Sequence, residues 1–495
     1  MIIVIDACRP EYLELGRLPI IRALAREGVS YRRAWVGHLV NNTPPGHLTI
    51  ASGCLPQTTG VVAFGWRDPN TGARVRPTAW EPVVSAEYGQ LIAHSGVPTL
   101  ASLLKQAQPS AVTAATGSIK FYAVASLGAH TADYIVFTPP TPKKPQRTLA
   151  ENAAKPQLPA LTLDNLGVQG QLPPPQVLEA VRALSEATHA DPDSLAMEIT
   201  LALVRAAQPT LLMVNLPETD GAGHRCGGIT APHTMRAVIQ NAYAQIGRLV
   251  ALYTQLGLYD ETVWVVTSDH GMIPNLHSVP QAVVRVAMRQ AELSPEKADA
   301  APHIWLSDPP PARQVAEAIA AQRVPEVHAA FYKVKEDGGY GFRLARPAGR
   351  NASLEGVAAY QFLADTYACP NGPDVSVFTA ENTVWGKKPG AAGTRGQHNS
   401  ATWGTQHIPL ILAGPAIRQR VTSDYPARLC DIAPTVLAAL GIRPQAMDGT
   451  VLADALSNPL ARDREAQSER EGHLVPLVEA LEAQSQADLR RVGMD

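Results

Sequence analysis

Four short runs of apolar residues constrain the fold of this 495-residue chain more than any other feature of its sequence. They are Ile2–Ile5, TLLMVNL from Thr210, TVWVVTS from Thr262 and IPLILAG from Ile408. Continuous apolar runs of this length are typical of strands that are buried on both faces of a parallel sheet. Segments with helical spacing lie between the runs, at Val177–Ala187, Ser194–Ala207 and Met235–Gly257.

Strands that alternate with helices predict an α/β fold with a mostly parallel, doubly wound sheet flanked by helices. A proline-rich segment near residues 139–175 predicts a loop or insertion, and the mixed signals of residues 277–390 predict an inserted cap subdomain. The predicted core therefore covers residues 1–276 and 391–455. Residues 456–495 form a charged helical tail, which we interpret as a solvated surface helix packed by its Leu and Val stripe rather than an oligomerisation helix.

The charge balance excludes several classes of partner. The chain has 42 Lys and Arg against 44 Asp and Glu, which argues against nucleic acid or an anionic membrane as the main partner. No apolar run approaches the roughly 20 residues that a membrane span needs. The first residues, MIIVIDACRPEYL, lack the basic region of a signal peptide and reach an aspartate at once. We expect no membrane span, and the oligomeric state stays open.

The five cysteines are scattered, odd in number and without a C-x-x-C pair. This pattern excludes a cysteine-based zinc site and a disulfide framework. It suggests a reducing compartment, so the predicted location is cytoplasmic.

Carboxylates and imidazoles adjoin the apolar runs where open α/β sheets bind their ligands, outside the carboxyl ends of the strands. Asp6 follows the first run, Asp220 and His224 follow the second, Asp269 and His270 follow the third, and His398 and His407 precede the fourth. Each motif alone is a weak signal, because an aspartate after a strand is usually a helix N-cap. One two-metal site explains them together. Nitrogen and oxygen ligands without thiolates suit zinc first, with manganese or iron possible.

The stretch NNTPPGHLTIASGCLPQTTG, from Asn41 to Gly60, holds several groups that could react with a substrate. Its thiol, Cys54, is intrinsically the best nucleophile among them. However, no cationic neighbour within the motif would lower the pKa of Cys54. The stretch by itself therefore leaves the choice between the thiol and a hydroxyl group open.

Five separated motifs resemble the alkaline phosphatase superfamily, and in particular the type I phosphodiesterase/nucleotide pyrophosphatase family. They are DACRPEYL, TPPGHLTIASGCLPQTTGV, DGAGH, TSDHGM and GQHNSATWGTQHIPLILAGP. The resemblance runs from Met1 to about Gly441 and covers neither the inserted segment nor the tail. It implies a small-molecule phosphoester as the substrate and no nucleic acid polymer.

The resemblance implies two zinc ions and a threonine nucleophile. The family's T-x-P-x-H element matches TPPGH, which puts the nucleophile at Thr43 and makes His47 a packing or supporting residue. The late motif usually has a glycine after its histidine, but here Asn399 follows His398, and His407 is the competitor for that ligand position. One implied zinc has the ligands Asp6, Thr43, Asp269 and His270, and the other has Asp220, His224 and His398.

The implied reaction is hydrolysis of a phosphodiester or nucleotide pyrophosphate through a phosphothreonine. A coordinated threonine hydroxyl becomes an alkoxide that attacks phosphorus, and water activated at the second metal then releases the phosphoryl group. A phosphomonoesterase or a phosphonate hydrolase would share the metal core, and a cofactor-independent phosphomutase would share the fold. A non-catalytic binding module would have lost a ligand, whereas all seven positions are filled here. A sulfatase is excluded, because CLPQT lacks the arginine of C-x-P-x-R and begins too late.

Phe64 and Tyr122 favour diesters over monoesters as the substrate, whereas the lone cation of Lys120 would help a monoester too. Phe64 aligns with a phosphate-binding asparagine of many relatives. Lys120 aligns with the first of two basic residues in some monoesterases, and Tyr122 stands at the second. Together with Trp66 and Phe121, the aromatic residues either form an apolar wall for the second ester group or pack the core.

Overall fold

A computed structural model gives the fold of this chain. It describes residues 1–138, 167–171, 173–177, 179, 191–294, 302–306, 311–346, 348–386, 389, 394–491 and 493. Most of the predicted helix Val177–Ala187 and most of the proline-rich segment fall outside the described residues.

A sheet of nine strands forms the centre of the described part of the chain. All four predicted runs contribute a strand, and residues Ile2–Ile5 and Leu211–Leu216 lie in its middle. In spatial order the strands are Val421–Ser423, Gly28–Tyr31, Leu410–Ala413, Trp264–Thr267, Ile2–Ile5, Leu211–Leu216, Thr113–Thr116, Tyr134–Phe137 and Gly167–Gly170.

The sheet is mostly parallel, as the alternation of strands and helices predicts. The five neighbouring strands from Trp264–Thr267 to Tyr134–Phe137 all pair in parallel. The strand Leu410–Ala413 pairs antiparallel with both of its neighbours, which a mostly parallel sheet allows. Because this strand runs in the opposite direction, the segment that precedes it reaches the edge where the parallel strands end. The sequence predicts that His398 and His407, which precede this strand, reach that edge. The antiparallel direction of the strand is compatible with that prediction.

Helices cover both faces of the sheet, and two buried clusters of apolar side chains lie against those faces. No helix in the described ranges is long and apolar enough to cross a membrane. The helices that flank the sheet or carry site residues are Pro19–Glu27, Thr43–Ser52, Pro56–Thr59, Trp80–Val84, Glu87–Ser95, Leu100–Ala107, Phe121–Gly128, Pro192–Ala207, Glu218–Cys226, Pro232–Gln255, Trp403–Gln406 and Ile432–Ala439.

A four-stranded sheet lies within the segment that the sequence assigns to a cap. Two short strand pairs, Ile273–Pro274 with Gly396–Gln397 and His277–Val279 with Thr383–Trp385, connect this segment to the central sheet. The strands of the second sheet are His303–Ile304, Val375–Thr379, Val327–Glu336 and Gly339–Leu344, and its helices are Ala282–Gln290, Ala312–Ala321 and Leu354–Asp365. The division at residues 277 and 390 stays a prediction.

The C-terminal helix, Ala461–Arg491, packs into the molecule along the predicted apolar stripe, with Leu474, Val478 and Leu481 buried. It also buries polar side chains, which a purely solvated helix would not do. Ser485 donates a 2.6 Å hydrogen bond to Glu381, a buried carboxylate that also accepts from the backbone N–H of Gly404. This helix thereby stabilises the loop between the candidate ligand His398 and the strand Leu410–Ala413.

Candidate metal centre and active site

The candidate ligands converge at one edge of the central sheet. Asp6 follows the strand Ile2–Ile5, and Asp269 follows the strand Trp264–Thr267. Asp220 lies on the helix Glu218–Cys226, which begins two residues after the strand Leu211–Leu216. Parallel strands end at the same edge of a sheet, so the topology brings these carboxylates together.

Asp220, His224 and His398 form one group with the spacing of metal ligands. Oδ1 of Asp220 lies 3.4 Å from Nε2 of His224 and 3.4 Å from Nε2 of His398. Two ligands that are each about 2.0–2.1 Å from a tetrahedral zinc ion lie about 3.3 Å apart. The three atoms therefore fit the ligand positions of one divalent cation.

Asp6, Asp269 and His270 make up a second group of candidate ligands and are fully buried beside the first group. Asp6 lies within metal-ligand reach of Asp220 and His270, and also of His47 and Asp269. Nε2 of His270 lies 3.3 Å from Oδ2 of Asp269 and 4.0 Å from Oδ1 of Asp6. The rings of His270 and His398 stack with their centroids 3.9 Å apart, so the two groups are neighbours. The backbone N–H of Ala7, a residue with φ of 56°, donates to Oδ1 of Asp269 and leaves Oδ2 toward the histidine.

The imidazoles of His224, His270 and His398 share one orientation. In each ring Nδ1 lies within hydrogen-bond distance of a backbone carbonyl oxygen, which belongs to Gly396, Gly271 or Asn41 respectively. A carbonyl oxygen only accepts, so Nδ1 carries the proton and Nε2 presents its lone pair to the site. Histidines that bind metals are oriented in this way.

Three candidate ligand atoms at the site are buried without a hydrogen-bond partner, as are other polar atoms elsewhere in the described residues. Oδ1 of Asp220, Oδ2 of Asp269 and Nε2 of His270 are buried, and none has a hydrogen-bond partner among the described residues. Because unpaired buried polar atoms are destabilising, native structures rarely retain them without a functional partner. The residues present therefore fit two divalent cations.

Lys120 lies between the two groups. Its ammonium nitrogen lies 2.7 Å from Oδ1 of Asp6 and 2.7 Å from Oδ2 of Asp220. Burial favours the neutral amine, but Asp220 and Asp6 raise the pKa of Lys120 well above its usual value, so the side chain stays charged. Burial raises the pKa of Asp220, but Lys120, His224, His398 and His270 lower it, and the pKa ends below its usual value, so this carboxylate stays ionised. The site therefore holds a permanent cation of its own.

Thr43 is the first residue of the helix Thr43–Ser52, and it is buried. The next two residues are prolines, which lack the N–H groups that the side chain of Asn42 would otherwise cap. A Cβ at Gly46 would lie 2.9 Å from the backbone oxygen of Asp269, so only glycine allows the first turn to pack this closely. The helix start thereby lies directly against the candidate ligand Asp269.

We expect Gly46→Ala to lower activity and metal affinity, although alanine stabilises most helix interiors by about 0.5–1 kcal/mol relative to glycine. The added methyl group would push the first turn of the helix away from Asp269. Gly472 is the matched control, because it lies exposed in the C-terminal helix, where an added Cβ would meet no described neighbour within 4 Å. Thermal unfolding, metal titration and turnover of both variants test this. A stabilised and fully active Gly46→Ala protein would contradict the expected close packing.

His47 lies on the same helix, and both of its ring nitrogens have protein partners. Nδ1 lies 2.9 Å from the carbonyl oxygen of Thr43 and 3.3 Å from Oδ2 of Asp269. Nε2 lies 2.9 Å from Nδ2 of Asn215, which is also 3.2 Å from Oδ2 of Asp6. His47, Asp6 and Asp269 are close enough together to hold a cation. However, both ring nitrogens of His47 have protein partners, whereas the other three site histidines present Nε2 to the site.

Cys54 and His407 lie apart from this arrangement. Burial raises the pKa of the Cys54 thiol to about 11, so the thiolate needed for nucleophilic attack is scarce at neutral pH. Nε2 of His407 lies 2.8 Å from the carbonyl oxygen of Arg32, and its ring stacks on Trp403. The structure thus groups His398, and not His407, with the other candidate ligands.

Phe64 and Tyr122 pack edge to face, with ring centroids 5.0 Å apart. Phe64 is 37% exposed and Tyr122 is half-buried, whereas Trp66 and Phe121 are buried in the core. Only the first two aromatic residues can therefore contribute to an open wall. Burial raises the pKa of the Tyr122 hydroxyl, and Lys120 is the group that lowers it most, so Tyr122 adjoins the metal-site charges.

The sequence prediction missed two polar residues that support the site. Asn215 interrupts the apolar run LLMVNL, and a polar side chain within a buried strand is the signal that could have revealed it. Asn41 accepts from His398 through its carbonyl oxygen and donates through its amide to the carbonyl oxygen of Ser400 and the hydroxyl of Thr405. It therefore connects the start of the Thr43 helix to the His398 loop.

Comparison with known proteins gives a family match and several relatives. The family model of type I phosphodiesterase / nucleotide pyrophosphatase matches residues 1–340. Alkaline phosphatase PhoD of Zymomonas mobilis is 26% identical over 287 residues, which are 50% of this chain and 48% of PhoD. Alkaline phosphatase PhoK of Sphingomonas is 29% identical over 121 residues, 23% of this chain and 22% of PhoK. The chain thus spans about half the length of one curated relative and less of the other.

Solved structures share the fold over nearly their whole length. Alkaline phosphatase PafA has a TM-score of 0.64 at 16% identity, covering 92% of this chain and 98% of PafA. Murine ectonucleotide pyrophosphatase / phosphodiesterase 5 has a TM-score of 0.59 at 16% identity, covering 92% and 99% of the two chains. These likenesses show an alkaline phosphatase-like fold.

Proposed function

The chain belongs to the type I phosphodiesterase/nucleotide pyrophosphatase family of the alkaline phosphatase superfamily, and we propose that it is a metal-dependent phosphoester hydrolase that prefers diesters and nucleotide pyrophosphates. One observation carries this proposal. Two groups of candidate metal-ligand atoms lie beside the buried start of the Thr43 helix, and some of these atoms have no hydrogen-bond partner among the described residues. This arrangement supplies both a nucleophile and the electrostatic stabilisation that phosphoryl transfer needs.

Two divalent cations would have ligands at this site. Asp220, His224 and His398 would hold one of them. Asp6, Asp269 and His270, together with the Thr43 hydroxyl, would hold the other. Zinc is the proposed metal, because the donors are nitrogen and oxygen atoms and one group has tetrahedral spacing. Bound cations would lower the pKa of a coordinated hydroxyl group and stabilise negative charge on phosphoryl oxygens.

Thr43 is the proposed nucleophile, and a phosphothreonine is the proposed intermediate. Its oxygen would form a bond to phosphorus while the bond to the leaving oxygen breaks. Water would then displace the threonine oxygen and release the phosphoryl product. The burial of Thr43 and the close approach of Gly46, three residues further on, to Asp269 support this role, because they hold the helix start beside the carboxylates.

The charge of the site supports a diester substrate. Three carboxylates and an ionised Thr43 would carry four negative charges, and Lys120 with two divalent cations would carry five positive charges. The net single positive charge matches a diester monoanion better than a monoester dianion. Phe64 and Tyr122 provide an aromatic surface that would contact the second ester group, such as a nucleobase or an aryl ring.

A phosphomonoesterase is the second candidate, and two observations favour it. Both curated relatives carry the name alkaline phosphatase, and Lys120 adds a cation beside the Asp6 carboxylate that would also help to bind a monoester dianion. An inactive variant of murine ectonucleotide pyrophosphatase / phosphodiesterase 5 was solved in complex with AMP, so a protein of this fold accommodates a nucleotide. AMP is a phosphomonoester, so that complex does not separate the two candidates.

The two candidates differ in their response to a substitution at Lys120. We expect the zinc-loaded protein to show a higher kcat/KM for bis-p-nitrophenyl phosphate than for p-nitrophenyl phosphate. We expect Lys120→Ala to lower both values, because Lys120 adjoins both candidate metal groups. Phe64→Ala, at the exposed ring, should weaken diester hydrolysis selectively. A strong monoester preference that collapses in Lys120→Ala would instead establish a phosphatase.

A further inference from the structure

Asn215 and His47 form a hydrogen-bonded connection between a candidate ligand and the proposed nucleophile. The amide nitrogen of Asn215 lies 3.2 Å from Asp6 and 2.9 Å from Nε2 of His47. On the other side of the ring, Nδ1 lies 2.9 Å from the carbonyl oxygen of Thr43. Asn215 and His47 are fully buried, so solvent does not compete for these contacts.

The chemistry of the partners determines the proton positions along this connection. An ionised carboxylate only accepts hydrogen bonds, so the nitrogen of the Asn215 amide, and not its oxygen, faces Asp6. The same nitrogen donates its second hydrogen to Nε2 of His47. Because Nε2 accepts, the proton of the neutral ring resides on Nδ1, from which it is donated to the carbonyl oxygen of Thr43.

We propose that Asn215 and His47 are positioning residues for Thr43. They hold the first turn of its helix at a fixed distance and orientation relative to the Asp6 carboxylate. The inference rests on the proposed role of Thr43. His47 approaches Thr43 through the backbone carbonyl, so the pair fixes the orientation of the residue without contact to a substrate. Nδ1 of His47 also lies 3.3 Å from Oδ2 of Asp269, so the same side chain restrains a second carboxylate of that metal group.

Two substitutions at His47 distinguish positioning from packing. The amide nitrogen of asparagine can reach the position of Nδ1, whereas that of glutamine reaches the position of Nε2. We expect His47→Gln, which loses the donor to the Thr43 carbonyl oxygen, to lower kcat about 10–100-fold, the usual effect of removing a group that orients metal ligands. His47→Asn keeps that donor and loses only the contact with Asn215, so it should lower kcat less. A packing role predicts the reverse order, because glutamine is closer to histidine in size. Equal or reversed losses would overturn the proposal.

A measurement without turnover separates this inference from the proposed function. In the full-length, zinc-loaded protein labelled with ¹⁵N-histidine, the His47 signals are identified by their absence from His47→Asn. We expect a protonated Nδ1 and a hydrogen-bonded, unprotonated Nε2, with neither nitrogen shifted by zinc. A proton on Nε2, or a zinc-bound His47, would overturn the proposal even in an active enzyme. If no phosphoester is hydrolysed but the Nδ1 proton is observed, the proposed function fails and the hydrogen-bonded connection stands.

Discussion

Thr43→Ala is expected to lower kcat for bis-p-nitrophenyl phosphate by about a thousandfold or more, because no phosphothreonine can form without the hydroxyl. The fold and most of the bound metal should persist, since six of the seven proposed ligands remain. Steady-state kinetics on the zinc-loaded variant, with metal content from elemental analysis and unfolding followed by circular dichroism, measure these quantities. Thr43→Ser should retain measurable activity, because serine keeps a hydroxyl at the same position.

Cys54→Ala is the matched control from the same stretch of sequence. The thiol is buried and its pKa is raised to about 11, so its removal should leave kcat nearly unchanged at a small cost in stability. Loss of activity in Cys54→Ala with full activity in Thr43→Ala would show that the nucleophile is wrongly assigned.

The sequence predicts the centre of the fold well because that centre depends on buried strands. Runs such as Ile2–Ile5 are apolar at every position, and this pattern has few other structural explanations. The shorter strands Gly28–Tyr31 and Thr113–Thr116 were not predicted, since their small and polar residues lack an apolar run. Their membership of the sheet depends on pairing with distant segments. The strand Gly167–Gly170 lies within the segment that the sequence assigned to a proline-rich loop.

The candidate site was predictable as a set of residue types but not as a set of contacts. Asp220 and His224 are four residues apart on one helix, so their proximity follows from sequence spacing. In contrast, the contact of Lys120 with Asp6 joins residues 114 positions apart and depends on how the helix Phe121–Gly128 packs. The aromatic residues show the same limit, because spacing alone could not separate exposed Phe64 from buried Trp66.

His398→Ala is expected to remove one of the two metals and to lower kcat by about two orders of magnitude or more, since a metal ion contributes several kcal/mol of charge stabilisation to the transition state. Only Asp220 and His224 would remain in that group, and the lost Nε2 lies 3.4 Å from the Asp220 carboxylate. Elemental analysis after dialysis should give about half the zinc of the unsubstituted protein. Chelation of the unsubstituted protein should abolish turnover, and added zinc should restore it.

His407→Ala is the control, because it removes an imidazole from the same loop region without affecting the candidate ligands. His407 bonds to the carbonyl oxygen of Arg32 and stacks on Trp403, so its loss should cost stability but preserve zinc content and kcat. The opposite result, in which His407→Ala loses zinc and His398→Ala keeps it, would reassign the late ligand. Full activity in protein shown to be metal-free would contradict the two-metal site itself. Without metals, Lys120 is the only described cation in contact with the carboxylates of Asp6 and Asp220, so it alone would have to supply the positive charge.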